Sequence, residues 1–532
     1  IRFCDLHGSE NSLFERDLEA RGIPCLKIER EYGPLVETGR IRMRLEAFLE
    51  RLGYHIYAVL IVCKEIMRPE IKAYHFDWML WATLEHASKA ADGTPGELAH
   101  LYRYIPYYKG ILDPVLREGE PGVVFLKCIN RYLRNIINAR QEGKKVAATT
   151  FCFLPGIFYA LDVVPVTLEI LSALGGLMWQ RGMYDYLDYA CEAGFTETSC
   201  SSQRGALGAY LAGLGEKIDF MVCDTPGVCD TNANAYAFAS EYLEVPFYYL
   251  NYPQVLGDDR SQQDHADDYK ALIAFVEAQS GNTLQEERLR VILEEADKQD
   301  RLIADLEDMH SLVPTPLPPM YNLFIYVGRF LFSGMSEYTH LLEVMHAHVR
   351  ARAEAGQSGL WSGKEKLRAF LCYIDHYSLN FRFWNWLDER GIAHMGSILS
   401  RNFRDFNHYA SNLQGMCYAI DTSNMDTMID SIAQMNARSP MVRTIRGPYD
   451  QPHMWLEESL ALSRIFKADC IIYNGTPGCR NTWGMVKPFA RETEAHGYPT
   501  HIMYGDAFDD RVESWQATTE RLDEFFKVRG LL

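Results

Sequence analysis

Two distant segments of the chain carry the same device. Thr225-Pro226-Gly227-Val228-Cys229 follows the apolar run Ile218-Asp219-Phe220-Met221-Val222-Cys223, and Thr476-Pro477-Gly478-Cys479 follows Cys470-Ile471-Ile472-Tyr473-Asn474. In each, a buried-strand pattern ends in a Pro-Gly turn that delivers a cysteine. A short apolar run bounded by Pro and Gly reads as a parallel-sheet strand, and the loop past its carboxyl end is where open α/β sheets place ligands. Two thiols presented in this way suggest a shared metal site. Cys200 joins them, because it opens a predicted helix in Thr198-Ser199-Cys200-Ser201-Ser202-Gln203-Arg204-Gly205. There the helix N-terminus and Arg204 both favour thiolate.

The remaining cysteines read differently. A free cysteine behaves as a small hydrophobe, and Cys25, Cys63, Cys128, Cys191, Cys223, Cys372 and Cys470 all sit in apolar, strand or helical runs. Cys152 and Cys417 are closer to the ligand pattern, but they also read as structural. Three scattered thiolates leave a fourth metal position unfilled, whereas a structural zinc takes four protein ligands, often from Cys-x-x-Cys knuckles that this sequence lacks. A [4Fe-4S] cube held by three thiolates, with one iron open, suits Cys200, Cys229 and Cys479 better. Turn amides around Gly227 and Gly478 are placed to hydrogen-bond its sulfides.

Composition narrows the classes. At 532 residues the chain exceeds one ordinary core, and its 48% apolar and 23% charged content is that of a soluble globular protein. A net charge of −18 argues against nucleic acid or an anionic membrane surface as the main partner. The 13 cysteines lack the dense spacing of a secreted disulfide scaffold. With no secretory signal and no spanning-length apolar run, a cytoplasmic protein is expected.

The two ends of the chain share a repeat. Cys4 precedes Gly22 and Pro24 by 18 and 20 residues, and Cys479 precedes Gly497 and Pro499 by the same offsets. Arg44-Leu45-Glu46-Ala47-Phe48 answers Arg521-Leu522-Asp523-Glu524-Phe525 in a closing helix. Both ends read as the last βαβα of one fold, and a first residue inside a strand pattern reads as a truncation. The expected organisation is a C-terminal βαβα remnant at 1–53, a junction and helical region at 54–143, a first α/β domain at 144–255, a helical connector at 256–366 and a second α/β domain at 367–532. Strands are expected at 146–153, 218–223, 246–250, 369–374, 393–399, 470–474 and 501–504. Helices are expected at 165–174, 201–214, 382–390, 424–437 and 454–467, with a long charged helical stretch at 264–308. Alternating strands and helices in two blocks predict two doubly wound, Rossmann- or flavodoxin-like parallel sheets facing one another across the metal site.

These residues resemble the catalytic subunits of the 2-hydroxyacyl-CoA dehydratase and benzoyl-CoA reductase family. The likeness spans residues 145–532, and the N-terminal arm is similar to the tail of that family's paralogous partner subunit. Its most specific parts are Phe3-Cys4-Asp5, Gly22-Ile23-Pro24, Glu29-Arg30-Glu31-Tyr32, the ending Arg40-Ile41-Arg42-Met43-Arg44, and the three-cysteine arrangement. The resemblance implies a [4Fe-4S] cluster on Cys200, Cys229 and Cys479, an acyl- or aroyl-CoA substrate, a paralogous second subunit in a heterodimer, and electrons from an ATP-dependent iron–sulfur activator. It further implies anaerobic radical chemistry, ending in either dehydration or reduction of an aryl ring. Cys4 matches the third ligand of the partner subunit, without companions in this chain.

No catalytic acid or base follows from the sequence. His408 is a candidate proton donor, Arg443 and Arg446 are candidates for CoA phosphates, and aromatics at 381–386 and 403–409 could line an aryl pocket, although such spacings are more often core. Two further readings stand beside the leading one. One is a relative with a larger iron–sulfur assembly that reduces small molecules, recruiting Cys152 and Cys417. The other is a non-catalytic partner subunit. A nucleotide-binding Rossmann enzyme lacks support, since neither G-x-G-x-x-G nor G-x-x-x-x-G-K-[ST] follows a predicted strand.

Overall fold

The computed structural model describes residues 107–170, 172–173, 180–211, 218–224, 228–253, 255, 257–372, 382–399, 418–476, 478–506 and 508–532. Cys4, Cys25 and the rest of the segment 1–53, the region around Cys63, Phe381, the stretch 403–409 with His408, Cys417, and the turn residues Thr225, Pro226, Gly227 and Pro477 lie outside the described residues.

Four strands, β1 (Val146–Thr149), β2 (Val164–Thr167), β3 (Phe220–Asp224) and β4 (Phe247–Leu250), pair in the order β2-β1-β3-β4. Four more, β5 (Leu367–Cys372), β6 (Ile392–Ser397), β7 (Cys470–Gly475) and β8 (Thr500–Tyr504), repeat that arrangement as β6-β5-β7-β8. Every pairing is parallel. The fold is thus α/β with two parallel sheets flanked by helices. In each sheet the strand order reverses at the middle pair, β1/β3 and β5/β7, and that crevice at the carboxyl edge is where such sheets bind ligands. Strands covered on both faces read as continuous apolar runs, and β3, β5 and β7 are buried along their whole length.

Helices α1 (Tyr107–Leu116) and α2 (Glu120–Asn138) precede the first sheet, around which lie α3 (Gly156–Ala160), α4 (Gln180–Glu192), α5 (Ser201–Leu211) and α6 (Asp230–Leu243). Between the sheets run α7 (Asp259–Ser280), α8 (Glu286–Asp308), α9 (Pro319–Phe332) and α10 (Ser336–Glu354). The second sheet is covered by α11 (Arg382–Arg390), α12 (Met425–Ala437), α13 (Pro440–Asp450), α14 (Met454–Ile465), α15 (Arg480–Ala495) and α16 (Trp515–Val528).

Two local expectations are corrected. The segment expected to be a helix from residue 165 begins as strand β2, and helical geometry starts only at Leu168. Its Val-Pro-Val-Thr sequence is β-branched, and β2 is an edge strand, where a proline without an N–H is tolerated. The strand expected over 146–153 ends at Thr149, where the chain turns; the charged stretch from 264 is helical as expected, and is divided between two helices. Gly281, with φ +75°, turns the chain at the end of α7 in the left-handed region that glycine occupies freely.

One apolar cluster joins the sheets: Ala147, Phe220 and Val222 of the first share it with Phe370, Ala393 and Ile471 of the second, bridged by Leu293 of α8 and Ile432 of α12. A buried polar pin reinforces it. Asn436 of α12 accepts a hydrogen bond from Leu154 N at 2.8 Å and donates to Tyr252 Oη at 2.9 Å, and that hydroxyl donates to Cys152 O at 2.8 Å. Replacing Asn436 with alanine strands the buried Leu154 N–H, a loss of about 1–3 kcal/mol. Denaturant unfolding of Asn436→Ala is expected to show a lowered midpoint with an unchanged slope.

Candidate functional site

Cys200, Cys229 and Cys479 occupy one structural position three times over: each is the residue that starts a helix at the carboxyl side of a sheet. The Cys229 carbonyl accepts from Ala233 N at 3.1 Å, that of Cys479 from Trp483 N at 3.0 Å, and that of Cys200 from Arg204 N at 3.2 Å, which are the first bonds of α6, α15 and α5. Cys229 (φ −132°, ψ 107°) and Cys479 (φ −108°, ψ 106°) have the extended backbone of an N-cap, and neither side chain caps its own helix. Each thiol lies beside a helix end whose free N–H groups favour anions, and the Ser202 and Asn232 amides act in that sense on Cys200 and Cys229.

What brings the two units together is a glycine. A Cβ on Gly478 would lie 2.8 Å from Cys200 N and 2.9 Å from its Cα, so the turn before Cys479 rests directly on the backbone that carries Cys200. The three thiols are near enough to act on one another electrostatically. They are half-buried, while Cys152, Cys223, Cys372 and Cys470 are sealed in the core. Cys128 is equally buried, and Cys191 receives a 3.6 Å contact from an Arg204 nitrogen.

The charge balance differs from the sequence expectation. Burial, then the proximity of Asp506 and Cys479, hold the Cys200 thiol well above the ordinary range, and the opposing influence of Arg204 is smaller. That guanidinium is directed instead to Ser199 O at 3.0 Å and Asp509 at 3.6 Å. Burial and Asp224 likewise raise Cys229. Burial therefore favours the neutral thiol at Cys200 and at Cys229, and among the described residues no three His, Cys, Asp or Glu side chains stand ready as a metal site. The donor set still suits a thiophilic metal group of net negative charge, since sulfur softness and three helix N-termini, which favour anions, both match one.

Sequence reasoning missed the polar floor of this site. Asp224 ends β3, and its Oδ2 accepts from Cys229 N at 3.1 Å while Oδ1 accepts from Thr150 Oγ1 at 2.8 Å and Asn232 Nδ2 at 3.3 Å. Asn232 accepts from Gln203 Nε2 at 2.5 Å, and the same nitrogen lies 3.3 Å from Glu169 Oε1. Glu169 also accepts from Phe151 N at 3.1 Å. A run of buried hydrogen bonds thus links the Cys229 turn to the helix that Cys200 starts. An acidic residue closing an apolar strand, as in Val222-Cys223-Asp224, was the one visible signal.

Other expected contributors are placed elsewhere. Arg443 is fully buried and clamped on Glu458 at 3.1 and 3.2 Å and on Ile398 O at 2.9 Å, so it does not meet a phosphate. Arg446 donates to Pro253 O at 3.1 Å. Phe383, Trp384 and Trp386 are core residues, the last stacked on Phe526.

This geometry makes two changes informative. Gly478→Ala forces backbone apart and is expected to destabilise by about 1–3 kcal/mol, read by thermal unfolding. Burial pushes the Glu169 carboxyl from its ordinary 4.5 up to about 8. A carboxyl raised on folding resists ionisation in the native state, so the parent should lose stability as pH rises from about 5 to 8, at a rate of up to ~1.4 kcal/mol for each step of one in pH. Glu169→Gln should lack that component across the same pH series of urea melts.

Comparison with known proteins identifies a family. The family model for the 2-hydroxyglutaryl-CoA dehydratase D-component matches residues 1–52 and 153–528. No curated protein matches the chain. Among the described residues no helix is long and apolar enough to cross a membrane. With both sheets and Cys200, Cys229 and Cys479 inside the matched stretches, save the strand β1, the chain belongs to the 2-hydroxyglutaryl-CoA dehydratase D-component family and is a component of a dehydratase-type enzyme.

Proposed function

We propose that the protein is the iron–sulfur catalytic subunit of a CoA-thioester dehydratase, with Cys200, Cys229 and Cys479 as ligands of a [4Fe-4S] cluster. The observation that carries this reading is the triple placement of cysteines as helix-starting residues around the Gly478–Cys200 contact. Family membership supports the thioester substrate, a paralogous second subunit and an ATP-dependent activator as electron donor. Low-potential single electrons and a Lewis-acidic iron are what such a cluster supplies when bound.

The chain's own residues do the remaining work. Asp224 fixes the Cys229 turn through its amide, Gly478 admits the second unit, and the apolar cluster between the sheets excludes water from the floor of the site. Dehydration of a 2-hydroxyacyl thioester is favoured over aryl reduction, because the described aromatics at 383–386 are in the core. Cys152 is fully buried beside Asn232 Nδ2, 3.8 Å away, which favours three ligands over a larger assembly. We place the working protein in the cytoplasm, where thiols stay reduced.

Anaerobic iron and sulfide analysis with EPR tests the assignment. About four iron and four sulfide per chain are expected, lost when Cys200, Cys229 and Cys479 are together changed to serine. Stoichiometric zinc in the parent, or iron retained in the triple variant, would overturn it.

A further inference from the structure

The loop that follows β8 belongs to the second α/β unit, yet its side chains are spent on the first. Ser201, the residue after Cys200, donates its hydroxyl proton to Asp506 Oδ1 and accepts from Phe508 N at 2.7 Å. Phe508 N also lies 3.2 Å from Asp506 Oδ1, closing a small ring of hydrogen bonds. Ser201 is fully buried and Asp506 only 7% exposed, so this is an internal joint. The Phe508 ring packs with Leu187 of α4 and with Cys200 itself.

Outside this joint lies a second tier. Arg204, on the Cys200 helix, pairs with Asp509 at 3.6 Å, both nearly inaccessible. Arg511 forks onto Asp509 at 2.7 and 2.8 Å and reaches Asp188 of α4 at 2.9 Å. Its guanidinium stands 4.7 Å over the Tyr184 ring, and the Tyr184 hydroxyl donates to Asp510. The described residues of the loop therefore grip the middle of α4 and the first turn of α5, the two elements that bracket Cys200.

The grip and the Gly478 contact hold the same turn from two sides. Gly478 limits how close Cys479 can come to Cys200, and the loop limits how far the Cys200 turn can withdraw. We propose that Asp506 and the segment 508–511 form a clasp that sets the spacing of Cys200 from Cys479, with Asp506 as its positioning residue. This rests on the cluster reading for its purpose, though the spacing itself exists without any metal. A clasp made of a buried hydrogen-bonded carboxylate is stiff, because a broken bond leaves a desolvated charge without a partner. Asparagine keeps the accepting oxygen that Ser201 and Phe508 need, whereas alanine removes it, so the two variants separate positioning from simple packing.

The test uses the full chain, metal-free and reconstituted. In the metal-free protein, the short bis-alkylating reagent dibromobimane should bridge Cys200 to Cys479, identified as a cross-linked peptide pair by mass spectrometry. With bridging rates divided by the rate at which monobromobimane alkylates Cys200 alone, which removes the influence of the Asp506 charge on the thiol, Asp506→Ala is expected to slow bridging about tenfold, the effect of leaving buried donors without their acceptor, while Asp506→Asn stays within about twofold of the parent. After reconstitution with ferrous iron and sulfide, chelator should strip iron from Asp506→Ala faster than from the parent, with asparagine again restoring retention. If Asp506→Ala does not fold by circular dichroism, Ser201→Ala removes the donor from the opposite side and should slow bridging similarly. Absence of the Cys200–Cys479 bridge in the parent, or an undiminished rate in the alanine variants, would overturn the clasp. Failure of the parent to take up iron while bridging still depends on Asp506 would instead overturn the cluster reading and leave the clasp standing.

Discussion

Backbone meets backbone where Gly478 lies on Cys200, and most of the molecule is arranged so that this contact can exist. A side chain at 478 would force the two α/β units apart. The apolar cluster between the sheets, the Asn436 pin and the loop after β8 hold the units at the distance that the glycine permits. The close approach therefore constrains the core beneath it as much as the thiols above it.

Around that contact the site is built by repetition. Two sheets with the same strand order each put a cysteine at the turn after the strand in the same position, β3 and β7, and each cysteine starts the next helix. The third comes from the start of α5, on the flank of the first sheet. Repetition of a βα turn gives Cys229 and Cys479 similar backbone surroundings, while burial holds the Cys200 and Cys229 thiols above their ordinary range.

The strands and the three cysteines are legible in the sequence because parallel strands buried on both faces leave continuous apolar runs, and Pro-Gly turns mark where those runs end. β2 escapes a local reading because Pro165 argues against a central strand, and only the sheet order, which no local window contains, reveals an edge. Spacing alone pairs Arg204 with Cys200. Its true partner, Asp509, lies hundreds of residues away, so nothing local could foretell the redirection. Glu169 and Asp506 are silent in the sequence for a related reason, and Asp224 shows only as an acidic residue closing an apolar strand. Each is one acidic residue in an ordinary context, and its burial and hydrogen bonds are properties of the assembled sheets.

The joint between Ser201 and Asp506 spans 305 positions in the chain. During synthesis the Cys200 helix is complete long before its clasp has been made, and the first unit must wait with that surface uncovered. Contacts of such sequence separation form late and slowly, since loop closure precedes any gain from them. The order of events is thereby fixed by topology: each sheet can form as its own segment emerges, but three thiols can be held together only after the last strand and its following loop have left the ribosome. Maturation of the site is a post-translational step, and the half-assembled chain is the form most in need of protection from oxidation and mispairing.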